Sequence, residues 1–243
     1  MLEEFIAKGV TEVRINPPRV RVREGRRLVA YEFGGWDLEA ELLELAAKTK
    51  INPAKEVPQT GSFSQHERKI EVSYMPTLAG GAWALEISDL SQPIPSLAEL
   101  GVPVRKRTVI WKTAEEGRGL IIAPPPVLFK VADELDVEVQ TIEDRPRYRL
   151  KNADQYIIRK DYATLAPRAL LVAVRRQPEA LLITRLDSRR LAELACDYAA
   201  KRLVLASVPA RVKDAEEYLA YLGVPEFLLK HILKVSVDAA SLL

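Results

Sequence analysis

The run from Arg118 to Leu150, RGLIIAPPPVLFKVADELDVEVQTIEDRPRYRL, constrains the fold more than any other stretch. Gly119 to Ala123 is a short apolar segment that stops against three prolines, as a buried strand does where it gives way to a loop. Lys130 then opens a helical pattern with Val131, Ala132 and Leu135 on one face. Val137 to Ile142 alternates as a second strand before Glu143 and Asp144. Strand, loop, helix and strand make a βαβ unit, the building block of a parallel sheet.

Such a unit holds nucleotide when its first loop reads G-x-x-x-x-G-K-[ST]. The glycines let backbone N–H groups approach phosphate oxygens, and the lysine reaches the outer phosphates. With Lys130 set on that lysine, Pro124, Val127 and Phe129 take the glycine positions and Val131 replaces the Mg²⁺-binding hydroxyl. Proline has no N–H and cannot adopt positive φ, while Val and Phe place side chains where phosphate would lie. This loop is therefore not expected to cradle a triphosphate.

The chain of 243 residues is long enough for two domains with separate cores. Hydrophobic residues make up 48% and charged residues 29%, so the whole should be globular, and a net charge of +2 does not by itself point to nucleic acid. Cys196 stands alone, which excludes an internal disulfide and suits a reducing cytoplasm. The start, MLEEFIAKG, does not read as a signal peptide, and no apolar run reaches membrane-spanning length. Asn and Gln are scarce beside Arg, Glu and Leu, a balance that leans toward a thermophilic source.

Residues 1–95 read as a small α+β domain, an antiparallel sheet with helices on one side. Its strands lie at Thr11–Ile15, Val20–Arg23, Leu28–Tyr31, around Ile70–Tyr74 and around Trp83–Ile87, with a turn through Gly25 and Arg26 and a helix capped by Asp37. Pro93-Ile94-Pro95 marks the boundary, and residues 96–107 are expected to link, with a short helix from Ser96 to Leu100. From 108 to 243 strands alternate with helices, which predicts a mostly parallel sheet with strands at Ile121–Ala123, Val137–Ile142, Ala180–Ile183 and Arg202–Ser207.

Over about Gly9 to Leu233 the chain resembles the secretion ATPases that power type II and type IV secretion and type IV pili. Gly9 to Asn16 is similar to that family's opening strand, Thr141-Ile142-Glu143-Asp144 to its acidic box, Leu170 to Glu179 to the run before Walker B, and Leu203–Ser207 with Leu222–Pro225 to its closing part. The resemblance implies an N-terminal PAS-like domain followed by a truncated RecA-like P-loop domain, and assembly as a hexamer. It also shows where this chain departs. At the Walker B glutamate stands Arg185, at the last glutamate of the acidic box Arg147, and at the two histidines of the His box Arg202 and Pro209. A guanidinium at the Mg²⁺ position reverses the field the metal needs.

These departures set the expectation: a pseudo-ATPase with no catalytic residue, no metal and no cofactor, whose vestigial nucleotide-site positions are Lys130, Glu143, Asp144 and Arg185. Lys130 and Arg185 are expected close together at the strand ends, paired with Glu143 or Asp144; independently solvated surface charges are the alternative. A divergent enzyme still binding ATP and Mg²⁺ through Lys130 and Glu143 is the second reading. A nucleic-acid or anionic-lipid stripe formed by Arg14, Arg19, Arg21, Arg23, Arg26 and Arg27 is the third, against a hairpin's solvent face or a subunit contact, and nucleic acid is the less favoured partner.

His66 and His231 lack partners at metal spacing, Cys196 reads as an inert buried thiol, and Trp36, Trp83 and Trp111 as core or interface residues. The role the resemblance implies is a scaffold or regulator at the cytoplasmic base of a pilus or secretion machine. It would touch an active ATPase or an inner-membrane platform protein, sit peripherally at that membrane, and be open to forming a homo-oligomer.

Overall fold

The computed structural model describes the chain apart from residues 25–26, 33–34, 36, 79, 159–160, 210–211, 213 and 238–243. The expected turn at Gly25 and Arg26, the Arg26 member of the arginine set and Trp36 lie outside the described residues. The chain divides into two compact units, Met1–Gln92 and Pro93–Leu243.

In the first unit the alternating strands form one antiparallel sheet. Its members are β1 (Glu12–Asn16), β2 (Arg19–Glu24), β3 (Arg27–Ala30), β4 (Gln59–Gln65), β5 (Arg68–Thr77) and β6 (Gly80–Asp89), in the order β3-β2-β1-β6-β5-β4. Val13 faces Val22 and Leu85, and Val72 faces Leu85, so period-two alternation delivers one apolar face. That face packs with Phe5 and Ile6 of α1 (Leu2–Ala7) and Leu45 and Ala46 of α2 (Leu38–Thr49). Asp37 caps α2 as expected, accepting from the N–H groups of Glu39 and Ala40. Strand β4 has no counterpart in the sequence reading, because QTGSFSQ is polar as an edge strand can be. Gly61 within it permits close approach to α2: a Cβ there would lie 2.3 Å from the Thr49 carbonyl oxygen.

The second unit holds a parallel sheet throughout, in the order β12-β7-β11-β10-β8-β9. Its strands are β7 (Gly119–Ile122), β8 (Val139–Glu143), β9 (Ala153–Ile157), β10 (Ala180–Ile183), β11 (Leu203–Ala206) and β12 (Leu233–Ser236). Strands β7, β8, β10 and β11 are buried along their whole length, which is why β7, β10 and β11 read as apolar runs; β8 reads as an alternation because its Gln140, Thr141 and Glu143 are polar although buried. One face carries Leu120, Ile122, Leu181, Ile183 and Val204 against α5 (Tyr162–Arg175), α6 (Arg189–Ala199), α7 (Ala215–Tyr221) and α8 (Glu226–Ile232). The other carries Ile121, Leu182, Leu203 and Leu205 against α3 (Val104–Glu116) and α4 (Pro125–Glu134).

Two expectations need correction in this unit. Residues 96–107 do not behave as a free link. Leu97 and Val102 are buried in the core that covers α3 and α4, and α3 itself begins at Val104. Ser96 to Leu100 forms a turn closed by reciprocal bonds, Glu99 Oε2 accepting from the Ser96 N–H and Ser96 Oγ from the Glu99 N–H, without going on to a helix. Strands β9 and β12 were absent from the sequence reading. Both are sheet edges whose mixed residues (ADQYI and LKVS) carry little periodic signal.

Candidate functional site

Parallel strands expose their carboxyl ends on one side of the sheet, and ligands of such folds bind there. Each of β7, β8, β10, β11 and β12 sends the residue that follows it, Ala123, Asp144, Thr184, Ser207 and Val237, into one cleft of about 220 Å³. The sheet therefore builds the crevice where a nucleotide would lie. Its two walls differ in chemistry.

The first wall is the β7–α4 connection. Helix α4 starts at Pro125, so only Ala123 and Pro124 separate it from β7. This corrects the expectation that Lys130 opens the helix: the prolines that signal a loop also suit a helix start, with Pro124 as N-cap and Pro125 and Pro126 as the first helical residues. Their fixed φ is helical, and the N–H groups they lack would have found no intrahelical partner. A helix N-terminus normally offers such free N–H groups to phosphate. Here Pro125 and Pro126 have none, those of Val127 and Leu128 bond to the Pro124 carbonyl at 3.0 and 3.3 Å, and that of Ala123 bonds to Ala206 at 3.1 Å. Val127 and Phe129, aligned on glycines above, are fully buried core residues of α4.

The second wall joins the ends of β8 and β10 through polar groups. The Thr184 hydroxyl donates to Asp144 Oδ1 and accepts from the Asp144 N–H, each at 3.0 Å. Arg185 places Nη1 3.3 Å from Asp144 Oδ2 and Nε 2.7 Å from Asp187 Oδ2. Its guanidinium lies 4.7 Å from the centre of the Tyr162 ring, within cation–π range. Burial, and then the negative charge of Asp144, hold the Tyr162 hydroxyl well above the ordinary tyrosine range, so it stays protonated.

Of the four expected positions, the structure brings together Asp144 and Arg185. Lys130 is absent from the cleft lining. Its position inside α4 turns it to Glu134, one helical turn on, at 2.8 Å. Glu143 is fully buried, accepting from Thr141 Oγ1 at 2.5 Å and Gln155 Nε2 at 2.9 Å, so it ties β8 to β9 and does not face the cleft. The strand period explains the split: adjacent residues point to opposite sides, so Glu143 and Asp144 do not both reach one partner. The pairing is thus Arg185 with Asp144 and Asp187. Thr184 and Tyr162 escaped the sequence reading; Thr184 had one available signal, a hydroxyl directly after an apolar strand.

These residues do not fit a magnesium nucleotide. Mg²⁺ needs uncommitted oxygen ligands, yet Asp144 is held by a guanidinium and a hydroxyl, and Thr184 is used twice by Asp144. Among the described residues no cluster of three His, Cys, Asp or Glu is placed to hold a metal, and no helix is long and apolar enough to cross a membrane.

The remaining candidates sit as follows. Arg14 and Arg23 pair with Glu12 at 2.8 and 2.9 Å, while Arg19, Arg21 and Arg27 are exposed. His66 is exposed 3.4 Å from Glu3, and His231 is exposed on α8. Cys196 is buried in the α6 core, where burial pushes its thiol up to about 12. Trp83 is buried in the first unit's core, and Trp111 packs against that of the second.

No family model matches the chain. Type II secretion system protein E of Pseudomonas aeruginosa is 24% identical over 244 residues, which is 94% of this chain and 47% of that protein. The type IV pilus assembly ATPase PilB of Thermus thermophilus is 26% identical over 216 residues, 81% of this chain and 24% of that protein. The chain thus spans about half the length of the first relative and a quarter of the second. Among solved structures, the pilus retraction motor PilT with bound ADP superposes with a TM-score of 0.71 at 17% identity, over 96% of this chain and 74% of that one. The Legionella pneumophila ATPase DotB gives 0.70 at 14% identity, over 94% and 70%. At such identities the two structures establish a shared fold.

Proposed function

We propose that this chain is a member of the secretion and pilus ATPase family that does not hydrolyse ATP and works by binding protein partners through the motor's shape, a reading its likeness to type II secretion protein E and PilB supports. It would be a scaffold or regulator at the cytoplasmic base of a type IV pilus or type II secretion machine, in contact with an active ATPase or an inner-membrane platform protein. The observation that carries this reading is the first wall of the cleft. From Ala123 to Leu128 every backbone N–H is either missing at proline or already bonded within the protein.

Phosphoryl transfer is catalysed almost entirely by positioning and by neutralising phosphate charge, so a first wall without free backbone donors removes one main source of rate. The second wall adds to this. Arg185, which the resemblance sets at the metal-organising position, spends its charge on Asp144 and Asp187. Among the described residues lining the cleft, no carboxylate is left free to orient water beside a bound metal.

The test is a thermal melt of the full chain with and without millimolar MgATP, read beside phosphate release. Ligand binding to the native state must raise its stability by mass action, by about 2.7 kcal/mol at a hundredfold excess over Kd. Unchanged melting and phosphate release at the buffer level are expected. A saturable upward shift with MgATP overturns the reading in favour of a divergent but active ATPase.

A further inference from the structure

Closing a phosphate site leaves a cleft of different chemistry. Pro124, Pro125, Val208, Pro209 and Val237 give it an apolar lining, and Arg147 stands exposed in it. Arg147 has no ion-pair partner among the described residues, whereas Arg185 is satisfied by Asp144 and Asp187. With Arg185 neutralised in this way, Arg147 is the one unpaired charge among the described residues lining the cleft. At about 220 Å³ the cleft is below the roughly 300–1,000 Å³ of whole small-molecule sites. It is larger than the roughly 150 Å³ apolar cavity that takes up a benzene ring.

We propose that this cleft binds one large apolar side chain of a partner polypeptide, aromatic by preference, with a neighbouring carboxylate of the same segment meeting Arg147. The size selects a single anchor residue, the way interfaces concentrate their energy in a few buried aromatics. The lone cation selects an acidic segment, and its planar guanidinium can meet a carboxylate with two parallel bonds. The first wall has no free N–H to spare, so recognition falls to packing and to Arg147. This deepens the proposed function and rests on it, since bound nucleotide would fill the same space.

The experiment uses the full chain labelled with ¹⁵N, titrated separately with acetyl-Glu-Phe-Glu-amide, acetyl-Lys-Phe-Lys-amide, acetyl-Glu-Ala-Glu-amide and MgATP. The amides of Ala123, Val208 and Val237 report binding. The first peptide is expected to move them saturably below about 10 mM, the lysine peptide to bind at least fivefold more weakly, and the alanine peptide and MgATP not at all. Arg147→Glu, an exposed position whose change leaves the cores untouched, should reverse the preference between the two phenylalanine peptides. Failure of both phenylalanine peptides, or equal binding with no reversal in R147E, overturns this inference alone. MgATP moving the same amides overturns the non-hydrolysing reading and this inference with it.

Discussion

The two walls of the cleft satisfy their polar groups in opposite ways. On the β7–α4 side the backbone itself does so: the connection is two residues long, prolines begin the helix, and no free donor is left. On the β8–β10 side the polar skeleton remains, with side chains bonded to one another. The difference teaches what each wall is for. Hydrogen bonds between the ends of neighbouring strands stabilise the sheet whether or not a ligand is present, so that wall has a structural reason to stay polar. On the first wall the buried side chains of α4, Val127, Leu128 and Phe129, hold the connection by packing instead.

The largest expected effect tests whether the first wall is held by packing. Phe129→Ala should cost about 3–5 kcal/mol in urea unfolding, because Phe129 is fully buried in the α4 core. A loss below 1 kcal/mol would mean that α4 is a tolerant surface helix and that the wall has another origin. Thr184→Val probes the opposite wall. It removes the acceptor for the Asp144 N–H and the donor to its carboxylate, and should cost about 1–3 kcal/mol. A neutral result would show that the second wall is not structural.

Pro125→Ala with Pro126→Ala sharpens the comparison more finely. It should destabilise by about 0.4–1 kcal/mol per site through the freer unfolded chain. It should also create weak protection by inorganic phosphate that the parent chain lacks, seen as a phosphate-dependent melting temperature. Destabilisation with no gain of phosphate protection would detach the missing donors from the proposed loss of phosphate binding.

The smallest effect is a slope. Burial holds the folded Tyr162 above the ordinary value of about 10, so the folded state keeps a proton that the unfolded chain releases. That share of stability is complete below pH 10 and is lost as pH rises above it. Tyr162→Phe should therefore make the fall in urea midpoint between pH 10 and 11 shallower. Cys196, whose thiol is pushed up to about 12, supplies part of the remaining fall, starting from about pH 8.5. An unchanged slope in Y162F would mean that Tyr162 is not the buried phenol under Arg185.

Legibility followed the physics of each element. Strands β7, β10 and β11 are readable as apolar runs because both of their faces are buried, and β1, β2, β5 and β6 as alternations because one is; β8 reads as an alternation although it too is buried on both faces, its Gln140, Thr141 and Glu143 being polar. Edge strands β4, β9 and β12 carried neither signal. At the site, the proline run reads from sequence as the loop that ends a strand, whereas Pro125 and Pro126 already begin α4. Lys130 was drawn to the strand ends by a motif alignment that the early start of α4 displaces.

Residues alone decided whatever depends on a residue's own covalent structure. Three successive prolines lack N–H groups in any fold, and an arginine at position 185 is a cation wherever it sits. Which charges meet was decided by the sheet. Placing β10 beside β8 puts Thr184 and Arg185 against Asp144, while the strand pleat turns Glu143 the other way. Ion pairs act over a few ångströms, and only the order of strands brings positions some forty residues apart within that reach.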